Sequence, residues 1–356
     1  MEHIQPKKDS VTVTDVAREA GVAKATAARV LGGYGIVSDR IRTKVLAAAE
    51  KLDYRPNELA RSMTTGRSGT IGVIVGDIEN PFFSSAVRGI TDAARASGFT
   101  VILMNSSEDV EAEKSAIKTL MAKRVDGLIV TPAQASEYLH LEEVRRTGRP
   151  IVLLDRAVPE LNVDSVTTDD RDAACAATRL LIDNGHRALA FVTACDTPDH
   201  RFQSLQDIHT SSVKERIQGF FDACRATDIQ DPERLIQVGA LGASRTRALA
   251  RELLSTSAHP SAILASDSMI ALEIFKVARE LALRIPEDLS LITFHDADWT
   301  SVTAPPLTVI DQPVYKLGET VTKLLLERLG GLVSDPRRVI LPTSIIERQS
   351  VYQREL

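Results

Sequence analysis

The chain has 356 residues, 44% of them hydrophobic and 26% charged, which is the composition of a folded protein too long for one small core and excludes disordered, collagen-like and rod-like coiled-coil classes. The formal net charge of −5 hides an asymmetry: residues 1 to 68 carry 12 Lys and Arg against 8 Asp and Glu, and the rest carry 31 against 40. A basic head on an acidic body is what is needed if only the head is to lie on polyanionic phosphate.

No apolar run approaches the ~18 residues of a membrane span, and Met1 to Ser10 lack the apolar core of an export signal. Cys175, Cys195 and Cys224 form no C-x-x-C pair, and the histidines are scattered without metal-ligand spacing. A cytoplasmic address is expected, with the cysteines as buried small apolar residues, no metal and no cofactor.

In chain order, Thr12 stands three residues before Asp15, a capping-box-like start, and Val13, Val16, Ala17 and Ala20 follow at helical spacing. Gly21 ends this helix. A second helix is predicted over about Lys24 to Leu31, burying Ala27, Ala28, Val30 and Leu31. A third opens at Ser38 as its cap and runs through Ile41, Val45, Ala48 or Ala49, and Leu52. Two short helices joined by a glycine turn make a helix-turn-helix. After Pro56, Asn57 to Thr64 reads as a short helix with Leu59, Ala60 and Met63 on one side, too short to hold alone in water. Residues 64 to 68 read as linker.

From Thr70 onward, β-branched runs alternate with amphipathic helical segments: IGVIV, TVILM, GLIV, PIVLL, SVTT, LAFVT, LIQV, AILAS, LSLIT and LTVI. Such alternation predicts parallel sheets wrapped by helices. Ten strands exceed one comfortable sheet and suggest two doubly wound lobes, with a small ligand bound between them at the carboxyl ends of the strands. Enzyme readings find little support. Ser211-Ser212-Val213-Lys214 fits S-x-x-K only in a loop, and no acid-base pair or phosphate loop accompanies it. The alternative of a transport-type binding protein with a decorative head is opposed by the basic head and the missing export signal.

The stretches VTVTDVAREAGVAKATAARVL and VSDRIRTKVLAAAEKLDYRPNELARSM resemble the head and hinge of the lactose-repressor family. TIGVIVGDIENPFFSSAVRGI, KRVDGLIVTPA, PIVLLDR, LIDNGHRALAFV, ERIQGFFDAC, LASDSMIALEIF and PPLTVIDQP resemble the sensor domain of that family and the periplasmic ribose-binding proteins. The resemblance covers essentially the whole chain. It implies a helical DNA-binding head at 11–56 and a hinge helix with linker at 57–68. It further implies one lobe at 69–166 plus 313–338 and a second at 167–312 plus 339–356, with crossings near Thr167, Gln312 and Val339. The implied function is transcriptional repression of carbohydrate-utilisation genes by a homodimer on a pseudo-palindromic operator in double-stranded DNA.

By the same resemblance, Thr12, Lys24, Ala25, Thr26 and Arg29 face DNA. Arg29 is the expected guanine reader, because a guanidinium donates two parallel hydrogen bonds to O6 and N7. Ala25 stands where a polar reader is common, and Ala23 where a capping Ser is common. Asn57, Leu59, Ala60 and Met63 are expected in the minor groove, with Met63 as the apolar wedge. For the effector, Asn80 is expected to donate to a hydroxyl and Phe82 and Phe83 to stack on a sugar face. Asp155 with Arg156 is expected to grip a diol, and Arg216 to fix sugar oxygens. Ser266, His295 and Asp311 replace residues usual among ribose binders. The His295 imidazole is neutral or protonated; a cationic one beside Arg216 would favour an anion, so a sugar acid or sugar phosphate competes with a neutral sugar, and a nucleoside ranks behind them. Residues 196 to 212 are longer than the family's usual loop and, despite His200, Arg201 and His209, read as solvated.

Overall fold

The computed structural model describes residues 11–32, 35–54, 67–195, 197 and 201–355. The chain divides into two compact units, numbered 1 to 69 and 70 to 356.

In the head, α1 (Val13–Ala20), α2 (Lys24–Gly32) and α3 (Asp39–Lys51) enclose a core of Val16, Ala17, Ala27, Val30, Val45, Ala48 and Ala49. The capping box is present: Thr12 N–H donates to Asp15 Oδ2 at 3.0 Å while Asp15 N–H donates to Thr12 Oγ1 at 3.4 Å. Gly21 closes α1 at φ 63°, the left-handed conformation that a Cβ disfavours. Ser38 precedes α3 but makes no side-chain cap bond, so that expectation fails and α3 rests on its packed face. Ala28 is only half-buried.

The second unit has two six-stranded sheets. In chain order, its elements are β1 (Thr70–Val75), α4 (Pro81–Ala96), β2 (Thr100–Asn105), α5 (Val110–Ala122), β3 (Gly127–Val130), α6 (Leu139–Arg146), β4 (Ile151–Leu154) and β5 (Asp164–Thr168). Then follow α7 (Asp170–Asp183), β6 (Leu189–Val192), α8 (Ser211–Ala226), β7 (Ile236–Gln237), α9 (Gly242–Leu254), β8 (Ala262–Ala265), α10 (Ser268–Glu280) and β9 (Ser290–Phe294). The chain ends with α11 (Asp298–Val302), β10 (Thr308–Asp311), α12 (Val314–Leu329), β11 (Arg338–Leu341) and β12 (Ser344–Ile346). The first sheet has the order β11-β5-β4-β3-β1-β2 and the second β12-β10-β9-β8-β6-β7. Every pairing is parallel except β10 with β12.

The central strands are buried on both faces and so read as unbroken apolar runs, while helices cover each side. In the first lobe, Ile71, Val73 and Val75 face α4 and α12, whereas Ile74, Leu128 and Val130 face α5 and α6. In the second, Leu189 and Phe191 face α7 and α8, and Ala190 and Val192 face α9 and α10. All ten expected strands form. The two not expected, β11 and β12, are edge strands without buried residues, and exposure alternates along β11.

The chain crosses between lobes after Thr168, at Gln312-Pro313 and at Pro342-Thr343. The expected third crossing at Val339 falls inside β11, because β11 pairs with β5 as far as Leu341 opposite Thr168. The crossings hold one another: Gln312 Nε2 donates to Thr168 Oγ1 at 3.2 Å, and Thr343 N–H donates to Asp169 Oδ1 at 2.9 Å.

Close helix packing in the first lobe depends on glycine. A Cβ on Gly318 of α12 would stand 2.1 Å from the Ala86 carbonyl oxygen of α4. Alanine at 318 gains about 1 kcal/mol of helix propensity, but forcing the helices apart costs about 1–3 kcal/mol or more. Gly318→Ala is therefore expected to lower the unfolding midpoint in urea; an unchanged midpoint would mean that the helix pair yields freely.

Candidate functional site

On the head, α2 presents Lys24, Ala25 and Arg29 to solvent, with Thr26 half-buried. The Arg29 stem lies over Gly35, where a Cβ would meet Arg29 Cδ at 3.5 Å. The first turn of α2 is closed by Thr26 and Ala27 N–H donating to the Ala23 carbonyl. Asn57, Leu59, Ala60 and Met63 lie outside the described residues.

In the two-lobed unit, polar groups converge where the strands of both sheets end. The Arg156 guanidinium, 9% exposed, donates from Nη1 and Nη2 to Glu108 Oε2 and Oε1 at 2.5 and 2.8 Å, and again from Nη1 to the Pro132 carbonyl at 2.9 Å. Glu108 reaches this position because Gly76, at the end of β1, has no side chain; a Cβ there would stand 2.1 Å from Glu108 Oε1. From the other lobe, Arg216 donates from Nε to Asp170 Oδ1 and from Nη1 to the Ser266 carbonyl, both at 2.6 Å, and its guanidinium stacks 4.1 Å over the Phe294 ring.

Burial and charge oppose each other in these carboxyls. Desolvation pushes the Asp170 carboxyl up to about 6 although Arg216 pulls it down; it stays ionised at neutral pH. Burial likewise raises Asp155, against Arg156 and Arg216, and raises Asp267, which caps α10 through the Met269 and Ile270 amides. Asp155 and His295 follow β4 and β9 with φ of 65° and 71°, left-handed backbone that costs non-glycine residues about 1–3 kcal/mol and gathers at functional sites.

Among the described residues, several side-chain atoms buried at these strand ends have no hydrogen-bond partner: Thr131 Oγ1, Asp155 Oδ1, Arg156 Nε, Thr193 Oγ1, Ser268 Oγ and His295 Nδ1. An orphaned buried polar group costs about 1–3 kcal/mol, and these atoms are able to bond a polar occupant.

The structure brings Asp155, Arg156, Arg216, Ser266 and His295 to the strand ends and places Phe82 against the opposite lobe, its ring 5.9 Å from that of His295. Phe83 packs edge-on to Phe82 at 5.2 Å. Asn80 caps α4, with Oδ1 accepting from Phe82 N–H at 3.0 Å. Asp311 is separate from the cleft arginines; burial and Asp296 raise its carboxyl, opposed by Arg348. Both terminal nitrogens of Arg156 are taken up by Glu108 and Pro132, while its Nε lies 3.6 Å from Asp155 Oδ2 and has no hydrogen-bond partner, as is true of Asp155 Oδ1. Of the two states open to His295, burial favours the neutral one by pulling its imidazole down to about 4.

The His295 ring is accordingly expected to keep the NMR signature of a neutral imidazole from pH 7 down to about 4. Its folded value lies below its unfolded one, so the stability it contributes is present above about 6.5 and is lost as pH falls through about 4. Asp170, raised, contributes with the opposite sign as pH rises through about 6, which makes the ring signal the cleaner measurement. A midpoint near 6.5 would place the imidazole in water.

Sequence reasoning missed Glu108, Asp170, Thr131, Thr193 and Ser268. Thr131 and Thr193 directly follow strands expected from the sequence and were open to the rule that ligands sit at carboxyl ends. Glu108 and Asp170 gave no signal, because their partners lie 48 and 46 residues away. Of the cysteines only Cys224 is buried, its thiol pushed up to about 12 by desolvation; Cys175 and Cys195 are half-buried.

Two α/β lobes with a polar cleft at their strand ends, on one chain with a helix-turn-helix, define a ligand-sensing DNA-binding regulator. Residues 12–57 match the bacterial regulatory proteins of the lacI family, and 178–351 match the periplasmic binding protein-like domain. The ribose operon repressor of Halalkalibacterium halodurans is 31% identical, the match spanning 95% of this chain and 96% of that protein. The lac repressor dimer bound to operator and the anti-inducer ONPF superposes with a TM-score of 0.82 at 26% identity, over 97% of this chain and all of that one. A lacI-family regulator from Enterococcus faecium with bound ribose gives 0.70 at 29% identity, over 80% of this chain and all of that one. The chain belongs to the lacI family of bacterial transcriptional regulators. No helix among its described residues is long and apolar enough to cross a membrane.

Proposed function

We propose that this protein represses carbohydrate-utilisation genes as a homodimer on a pseudo-palindromic operator, and that a neutral sugar between the sensor lobes controls its grip. One head supplies one recognition helix and reads one half-site, so a two-fold operator calls for two copies. Lys24, Ala25, Thr26 and Arg29 would read the major groove, and Asn57, Leu59, Ala60 and Met63 the minor groove. Thr12, at the start of α1, would meet phosphate.

The observation that carries the effector reading is the mixture of unpartnered buried atoms in the cleft. Asp155 Oδ1 only accepts, Arg156 Nε only donates, and the hydroxyls of Thr131, Thr193 and Ser268 do both. That set suits a polyol, each of whose hydroxyls donates and accepts. The arginines are already balanced by Glu108 and Asp170, and His295 is neutral, so no unpaired cation awaits a phosphate or carboxylate. Phe82 would cover a C–H face of the ring.

A thermal-shift screen of pentoses, hexoses, sugar acids, sugar phosphates and nucleosides tests this, with ribose as the first probe because relatives carry its name. Neutral sugars are expected to raise the melting temperature and to change operator affinity, by about 5- to 150-fold for coupling of 1–3 kcal/mol. A shift produced by sugar phosphates alone would overturn the neutral-ligand reading.

A further inference from the structure

The segment leading into α8, expected to be solvated, is anchored at one end, and its residue His209 together with the first turn of α8 is bonded to the first lobe. Phe202 meets Phe221 edge-on at 5.7 Å, Leu205 packs on the second lobe's core, and Ile208 is 3% exposed within it. Ser204 stiffens the intervening turn, its N–H and hydroxyl donating to Asp207 Oδ2 at 3.1 and 2.9 Å. Beyond Ile208 the chain reaches the first lobe. Ala135 N–H donates to the His209 carbonyl at 2.8 Å, and Ser136 Oγ lies 3.3 Å from His209 Nδ1. Ala157 N–H donates to Ser211 Oγ at 2.9 Å, and Ser212 Oγ donates to Asp155 Oδ2 at 3.5 Å. Ala135 and Ala157 belong to the loops that follow β3 and β4, so these bonds join the two lobes at places other than the chain crossings.

We propose that residues 201–212 form a strap that latches the two lobes together, so that the cleft opens only when His209, Ser211 and Ser212 release the first lobe. Anchorage in an apolar core fixes the near end, and hydrogen bonds to the first lobe hold the far end, each of modest net worth. An element built that way opens locally while the lobes stay folded. Ser212 has a second effect, since its bond to Asp155 Oδ2 leaves Oδ1 as the oxygen available to an occupant. Ser211 and Ser212 are positioning residues, acting through the Ala157 amide and the Asp155 carboxylate. The latch rests on the cleft being the effector site only for what it admits, not for whether it holds.

Hydrogen exchange on the full-length protein, free of ligand, tests the latch. In a Ser211→Ala, Ser212→Ala variant, peptides containing Ala157 are expected to exchange roughly 5- to 100-fold faster, with Ala135 following, as expected for losing two modest hydrogen bonds. Peptides covering Ile129 and Val152 should keep wild-type protection, which separates an opened latch from a misfolded lobe. Ser211→Thr retains the hydroxyl and should restore protection at Ala157. Unchanged exchange at Ala157 and Ala135 in the double variant overturns the proposal, as does equal loss across β3 and β4. Stopped-flow fluorescence of the single tryptophan, Trp299, with ribose as probe adds the ligand readout: faster release from the double variant is expected. A wild-type protein indifferent to every neutral sugar of the screen alongside faster exchange at Ala157 would sink the sugar assignment and leave the strap standing.

Discussion

Replacing Arg216 with alanine is expected to destabilise the sensor unit by about 3–5 kcal/mol, the usual cost of stranding one member of a buried ion pair. Arg216 is 7% exposed and Asp170 3%, joined at 2.6 Å, so water does not replace the lost guanidinium. The substitution also removes the Ser266 carbonyl's donor and the stack on Phe294. Burial already holds the Asp170 carboxyl near 6, and without Arg216 it must rise further. A carboxyl raised in the folded state gives stability that is full below its unfolded value and lost as pH rises through the folded one. The variant is therefore expected to lose more against wild type at pH 8 than at pH 5.5 in urea unfolding. Adding Asp170→Asn should recover part of the loss, because the stranded charge is then gone. Equal stability of Arg216→Ala and wild type at pH 8 would contradict the buried-pair account. Effector binding should fail in the single variant even where it is folded, since Asp155 also loses a compensating charge.

Arg29→Ala is expected to weaken operator binding by about 1–3 kcal/mol per half-site, which is roughly 5- to 150-fold, and to relax preference at one base pair in each half. The residue is exposed on α2 and its stem touches little besides Gly35, so the head's folding should be nearly unchanged. Two roles are separable by titration against base-substituted operators at several salt concentrations. If Arg29 reads guanine, the loss is concentrated at one position. If it only touches phosphate, binding weakens evenly and the salt slope falls by about 1. Sugar binding should persist in either case. Full operator affinity in Arg29→Ala would remove Arg29 from the reading helix.

The two lobes were legible because a strand buried on both faces needs an apolar run, and a covering helix needs a stripe, whatever lies elsewhere in the chain. Thr12 with Asp15 and Gly21 were legible for the same reason: caps are settled within a few residues. The edge strands β11 and β12 were not, since a half-exposed strand borrows its hydrogen bonds from a neighbour far away in sequence. Val339 illustrates the point; its partner is Val166.

In the cleft, residue type and place at a strand end were readable for Asp155, Arg156, Arg216 and His295, but their state was not. Whether an arginine offers its fork to a ligand depends on what already holds it, and Glu108 and Asp170 came from elements whose approach the chain does not announce. His295 was open to either protonation state, and burial favours the neutral one. The strap shows the same limit: its polarity suggested a solvated loop, while Phe202, Leu205 and Ile208 were too few to reveal an anchor.

What the sequence by itself determined is the order of elements, the basic head with its reading helix, and the strand ends at which chemistry would gather, because periodicity, caps and charge counts are local properties. Only the tertiary structure decided which charges are neutralised, which polar atoms are left without partners and which residues bond across the two lobes. Those depend on desolvation and on distances between residues tens of positions apart, and both exist only once the two lobes have closed on each other.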